Sequence, residues 1–130
     1  MIIERLVNSG VRLIVFDMLF PTEREGDEAF HAALDRYSSK VIIGANFVDG
    51  TSTSLTPPTA SLIPPAESLD PRVGYVNFWP DRDGVVRRAH YRTTASEAAR
   101  NLVQLDDEVF HSLAGRTLLK LGREIGRAHV

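Results

Sequence analysis

The sequence predicts an α/β domain: a three-layer-like mixed sheet in which a βαβ unit is followed by an antiparallel hairpin and a C-terminal helix. Three observations predict it. Val11–Phe16 and Val41–Phe47 are short, nearly continuous apolar runs, the pattern of parallel strands covered on both faces. Between them, Asp27–Tyr37 carries Phe30, Ala33, Leu34 and Tyr37 at helical spacing. Further on, Pro80-Asp81-Arg82-Asp83-Gly84 places strong turn chemistry between two segments that read as strands.

In chain order, Ile2, Ile3, Leu6 and Val7 form an apolar stripe over residues 2–9, and Gly10 fits the position just past a helix end. Val11–Phe16 then reads as a strand closed by Asp17. Pro21–Asp27 is a polar loop, and Asp27 is placed to cap the helix that runs to about Tyr37. Strand, helix and strand within residues 11–47 make a βαβ unit with a parallel crossover. Residues 48–71 change character. Pro57, Pro58, Pro64, Pro65 and Pro71 among serines and threonines rule out a long regular element, leaving a long loop with one helical turn near Ala66–Leu69. Gly74–Phe78 and Val85–Tyr91 are read as a third and a fourth strand, paired as the hairpin. A helix over Asp107–Leu121 buries Val109, Phe110, Leu113, Ala114, Leu118 and Leu121.

A chain of 130 residues suffices for one domain with one core. Its net charge of −2 offers no basic face for nucleic acid and no polybasic segment for an anionic membrane. The absence of cysteine excludes disulfides and thiolate zinc sites. No apolar run approaches the roughly 18 to 20 residues of a membrane span, and Met1-Ile2-Ile3-Glu4 lacks the pattern of a secretory signal. The last residues, 124–130 (E-I-G-R-A-H-V), match one reading frame of a common sequencing-adapter oligonucleotide. They are expected to be a non-native tail after a single domain over 1–123.

Asp17, Asn46 and Asn77 each fall at the end of an apolar strand. If the three strands are parallel, these side chains converge on the sheet edge where open α/β sheets bind ligands. The alternative is that each satisfies loop backbone where its strand ends, as Asn and Asp often do. Arg87 completes the set of candidate ligand contacts. Beside the turn, it is equally placed to pair with Asp81, Asp83 or Asp17. Asp81-Arg82-Asp83-Gly84 looks like the start of a calcium loop, but Val85-Val86-Arg87-Arg88 follows in place of further ligands and a terminal Glu. The four histidines share no metal-ligand spacing, and no nucleophile elbow, phosphate loop or dinucleotide pattern occurs. No catalytic residue, metal or cofactor is therefore expected, and the chain reads as a binding domain and not an enzyme.

The ordered segments resemble one family. Gly10–Phe20 (G-V-R-L-I-V-F-D-M-L-F) matches its "G-x-x-x-I/V-x-F-D-x-L-F", and Asp27–Leu34 its "D-x-x-x-x-x-A-L" helix. Val41–Phe47 matches its apolar strand, and Gly74–Arg88 its "G-x-V-N … P-D-x-D-G-V-V-R-R". This set resembles the second type of CHASE domain, the sensory extracellular domain associated with cyclases and histidine kinases. The resemblance covers about Leu6–Tyr91 and the helix beyond it. It implies an extracytoplasmic signal-input domain of a bacterial membrane receptor with a cyclase, kinase or diguanylate cyclase output. An unknown small ligand or protein and a second copy of the chain are its expected partners, with the membrane reached only through flanking spans. It also implies an earlier strand and helix that this sequence lacks, so the domain is expected to be N-terminally truncated. Two other readings stand beside it. One is a non-sensing structural or dimerisation module. The other is an α/β hydrolase or phosphatase fragment using Asp17, for which Met18-Leu19 is the wrong continuation, since a phosphatase wants D-x-D.

Overall fold

The computed structural model describes residues 1–48, 54–98 and 108–122. The helix α1 spans Ile2–Asn8 and buries Ile3, and Gly10 follows it at φ 90°. Residues 11–13 wrap its end, with the Val11 N–H donating to Leu6 O at 3.2 Å. The first strand therefore starts later than the apolar run does, and β1 covers Ile14–Leu19. It continues through Asp17 and carries a register irregularity between Phe16 and Leu19. It is also more open than the sequence suggests, for Val15, Met18 and Leu19 are exposed. α2 runs Asp27–Arg36 with Gly26 as its N-cap. Asp27 is its first helical residue and not the cap; its carboxylate instead accepts from the Arg24 N–H at 3.0 Å and the Ser61 hydroxyl at 2.6 Å.

β2, Val41–Val48, is the central strand and is buried from Val41 through Ala45. β1 and β4 (Val73–Tyr75) both run parallel to it, and β3 (Ser54–Thr56) pairs antiparallel with its end. The sheet is mixed, and the βαβ unit is parallel as expected. Ile3 of α1, Ala33 and Leu34 of α2, and Leu62 and Ile63 of the Pro-rich segment form one core with Ile14, Val41, Ile43, Ala45 and Val73. Burying such a set supplies most of the folding free energy, at about 25 cal/mol per Å² of apolar surface. Edge-to-face contacts among Phe16, Phe20 and Phe30 close it, with centroids 5.4 to 6.1 Å apart.

The antiparallel pair that follows differs from the sequence expectation. It is made by β5 (Arg92–Thr93) and β6 (Phe110–His111), not by the segments flanking Pro80–Gly84. The turn itself forms: Gly84 has φ 81°, and Asp81 N–H donates to Val85 O at 2.9 Å. No ladder continues from it. Val85 and Val86 are exposed and arginines follow on both faces, so pairing would bury no apolar side. α3 covers Ala95–Ala98, and α4 covers Leu113–Lys120. α4 starts six residues after the expected Asp107, because Phe110 and His111 pair as strand and the Ser112 hydroxyl caps Gly115 N–H at 2.9 Å. The helical turn expected at Ala66–Leu69 is also replaced: the chain turns at Thr59–Ile63, whose buried end fills the core. The tail at 124–130 lies outside the described residues.

α4 packs on the sheet face opposite α1 and α2, which gives the three layers. Gly44 and Gly74 pair across the β2–β4 ladder on that face. A Cβ on Gly74 would stand 2.8 Å from Leu113 N, and one on Gly44 would stand 2.5 Å from Met18 O. Both neighbours are backbone and cannot rotate away. Below them Arg72 is 8% exposed, an unusual burial for a cation. Its guanidinium donates through Nε and Nη2 to both Asp70 oxygens at 3.0 and 2.8 Å, and through Nη1 to Asp35 at 2.8 Å. This joins the loop before β4 to α2. Burial raises the Asp70 pKa, but the hydrogen bonds and charge of Arg72 outweigh that and hold it below its ordinary value.

Gly74→Ala is expected to lower stability by about 2 kcal/mol, because overpacking meets backbone and not a flexible side chain; urea denaturation of the two proteins measures it. Asp70→Asn is expected to cost about 1 to 2 kcal/mol at neutral pH by weakening charge-assisted bonds. With its folded pKa lowered, Asp70 contributes this stability above the ordinary aspartate value of 3.8 and loses it as pH falls through the folded value. Denaturation midpoints of wild type and variant should therefore converge under acid conditions and separate at pH 7.

Candidate functional site

β1, β2 and β4 point their carboxyl ends the same way, toward the segment of residues 76–91 that leaves β4 and returns to β5. Val76 extends the ladder by one rung, its N–H donating to Ala45 O at 2.9 Å. Asn77 then takes the place of the next strand residue with its side chain. Its Oδ1 accepts the Phe47 N–H at 2.7 Å, and its Nδ2 donates to Phe47 O at 3.1 Å. Phe47 is 6% exposed, so these amide contacts satisfy backbone that has no water to turn to. Phe47 also packs against Tyr75, Trp79 and Phe110, with ring centroids 5.2 to 6.0 Å away.

The returning part of the segment is clamped from two sides. The Tyr75 hydroxyl donates to His90 O at 2.5 Å, and Ser112 N–H donates to Tyr91 O at 2.8 Å. Burial, and then the charge of Glu97, push the Tyr75 phenol well above its ordinary pKa, so it stays protonated and keeps donating. Gly115 allows Tyr91 O to sit against α4, where a Cβ would lie 2.5 Å from it.

A cavity of about 280 Å³ is left between the end of β1, the two halves of this segment and the first turn of α4. Its apolar wall comes from Val15, Val76, Phe78, Tyr91, Leu113 and Ala114. Its polar side chains are Asp17, Tyr75, Asn77, His90, Ser112 and Thr117, and Tyr91 adds a hydroxyl to its ring. Four of these are engaged with backbone: Tyr75 and Asn77 as described, Ser112 with Gly115 N–H, and Thr117 donating to Leu113 O at 2.8 Å. Among the described residues, no hydrogen bond or ion pair reaches the Asp17 carboxylate, the Tyr91 hydroxyl or the His90 ring, which meets the Trp79 ring edge-to-face with centroids 5.8 Å apart.

Of the four residues expected from the sequence, the structure brings Asp17 and Asn77 to this one cavity. Asn46 is half-buried on β2 opposite Thr56 of β3, outside the cavity wall. Arg87 lies at the turn, where it pairs with Asp83 at 2.7 Å and Asp81 at 3.1 Å. Those two carboxylates thus face arginines, as Arg88 also approaches Asp81 at 3.4 Å. His90, Tyr91, Leu113 and Thr117 were not foreseen. Helical periodicity marks an apolar face without saying which sheet edge it will cover, so no sequence signal placed α4 over the ends of β1 and β4.

Two further hollows are less suited to a specific ligand. One of about 450 Å³ is walled largely by charges already engaged, Arg88 with Asp81 and Glu97 with Thr93 and Thr94, with Arg82 beside them. The other, about 500 Å³ of apolar surface around Leu55, Pro64, Leu69 and Phe110, has no charged group but Asp70, which Arg72 holds.

In comparisons with known proteins, the family described as CHASE2 domain matches residues 1–128. No curated protein and no solved structure matches the chain.

Asn77→Ala is expected to cost about 2 kcal/mol, since the buried Phe47 N–H and C=O both lose their partner. Asn77→Ser, too short to span both groups, should recover little of it. Chemical denaturation of the three proteins measures both values.

Proposed function

Because the chain belongs to the CHASE2 domain family, whose members are sensory extracellular domains of cyclases and histidine kinases, we propose that it is the extracytoplasmic signal-input domain of a bacterial transmembrane receptor. Its output is an adenylate cyclase, a histidine kinase or a diguanylate cyclase. No described helix is long and apolar enough to cross a membrane, so the membrane is reached through flanking spans of the receptor. The domain is a binding module and not an enzyme, and its ligand site is the cavity at the ends of β1 and β4.

The observation that supports this reading best is that one cavity gathers Asp17 and Asn77 at the carboxyl ends of two parallel strands, beneath the first turn of α4. That is where open α/β sheets bind ligands. The walls also suit signalling. They come from two elements distant in sequence, the 76–91 segment and α4, so a ligand touching both has differential affinity for arrangements that differ in their spacing.

A second reading, a dimerisation module with no ligand, is favoured by the apolar surface that Ile2, Leu6, Val15, Met18 and Leu19 expose along α1 and β1. Sedimentation of the chain at increasing concentration separates the two, since only the second requires self-association.

The ligand reading predicts a compound class that raises the thermal midpoint of the chain. Ala114→Phe, at an exposed α4 position facing the cavity, should abolish that rise while leaving the unliganded midpoint within a few degrees. A compound whose shift survives Ala114→Phe binds elsewhere. Apolar spans and a cyclase or kinase domain encoded next to residues 1–130 would establish the receptor class, and a complete gene with no span would overturn it.

A further inference from the structure

Resting on the reading of this cavity as the ligand site, we propose that it selects a small organic cation: an amine carried on an apolar, preferably aromatic, body. Charge sign is the first reason. Among the described residues the wall holds one carboxylate, Asp17, and no lysine or arginine. An anionic ligand would meet that carboxylate with nothing to offset it, and would lose hydration as it entered.

Hydrogen-bonding capacity is the second reason. Tyr75, Asn77, Ser112 and Thr117 each commit a hydrogen bond to the protein, with His90 O, Phe47, Gly115 N–H and Leu113 O respectively, which leaves them reduced capacity for a ligand. What remains unbonded for a ligand among the described residues is the Asp17 carboxylate, which only accepts, the His90 ring and the Tyr91 hydroxyl. An ammonium group has three donors and no acceptor, the complement of Asp17. A sugar or other polyhydroxyl compound would bring many donors and acceptors to a wall with few left to meet them.

The walls and their size give the third. Phe78 and Tyr91 bring aromatic rings to the wall, a side-chain type that attracts cations as well as apolar groups. A volume of about 280 Å³ lies at the small end of ligand cavities, below the ~300 to 1,000 Å³ usual for drug-sized molecules. An inorganic cation is a poor fit, because it needs several oxygen ligands and no group of three metal-ligating side chains occurs among the described residues.

Three probes with a common phenyl body separate these terms: phenethylamine, 2-phenylethanol and 3-phenylpropionate. Binding to the 130-residue chain is read from the emission of Trp79, its single tryptophan, which touches His90 of the cavity wall, and from thermal shift. The amine is expected to bind at least about ten-fold tighter than either other probe. Asp17→Asn should remove that margin while changing 2-phenylethanol affinity less than about two-fold, and Asp17→Glu should keep the preference for the amine. Asp17 is exposed, so circular dichroism should show both variants folded. Equal or tighter binding of the alcohol or the carboxylate, an unchanged margin in Asp17→Asn, or no binding of the amine overturns the cation assignment. The cavity reading fails separately, if whichever probe binds does so equally well to Ala114→Phe.

Discussion

Two glycines facing each other across one rung of a parallel ladder set the spacing of the rest of the molecule. Gly44 and Gly74 leave the far face of the sheet bare at its centre, so the backbone of Leu113 and the carbonyl of Met18 can settle directly on it. A side chain at either position would hold the helix or the strand end away. α4 is therefore docked by its first turn, close enough for Arg116 Nε to reach Val73 O at 2.9 Å and Lys120 Nζ to reach Ser38 O at 2.9 Å. The irregularity in β1 between Phe16 and Leu19 sits at the same place. Close backbone approach on one face is thus what brings α4 and the end of β1 to opposite sides of a single cavity.

The other face is built in the opposite way, by filling. β2 presents Val41, Ile43 and Ala45 to α1 and α2, and the proline-rich segment adds Leu62 and Ile63 from outside the regular elements. That segment is pinned at several points: Thr59 N–H to Phe20 O, Ser61 to Asp27, Leu62 O to His31 Nδ1. Arg72 then carries the chain into β4 while its charge is met by Asp70 and Asp35. A buried cation with two carboxylates adds little net stability over an apolar residue, but it tolerates only one arrangement of its partners. It fixes where β4 enters the sheet, and with it the Gly74 rung.

Between those two faces the site is defined by what is left over. Asn77 is the clearest case. It lines the cavity, yet both ends of its amide are held by Phe47, so its contribution is to terminate the sheet cleanly and not to greet a ligand. Tyr75, Ser112 and Thr117 behave alike. The result is a wall with a polar inventory of seven side chains, of which the Asp17 carboxylate, the His90 ring and the Tyr91 hydroxyl carry no hydrogen bond among the described residues. A site like this discriminates by charge and shape more than by a hydrogen-bond pattern. Both functional proposals draw on that one feature of the wall.

Much of the architecture was legible in the residues themselves. Apolar runs at Val41–Phe47 and helical spacing at Asp27–Tyr37 reflect local periodicity and burial, which tertiary context rarely reverses. The family motifs at Gly10–Phe20 and Gly74–Arg88 were equally plain. Pro80–Gly84 forms the turn its residues dictate but no hairpin: turn chemistry is local, whereas a ladder needs a face to bury, and Val85–Tyr91 has arginine on both sides. Asn77 could be placed just past a strand end from sequence, whereas Asp17 lies within β1, which runs on to Leu19 after an irregularity that no local pattern announces. Which of the two would stay free was not local. That was decided by Phe47 needing a partner on its open side, and by two glycines letting α4 come down over Asp17, both consequences of contacts between residues far apart in the chain.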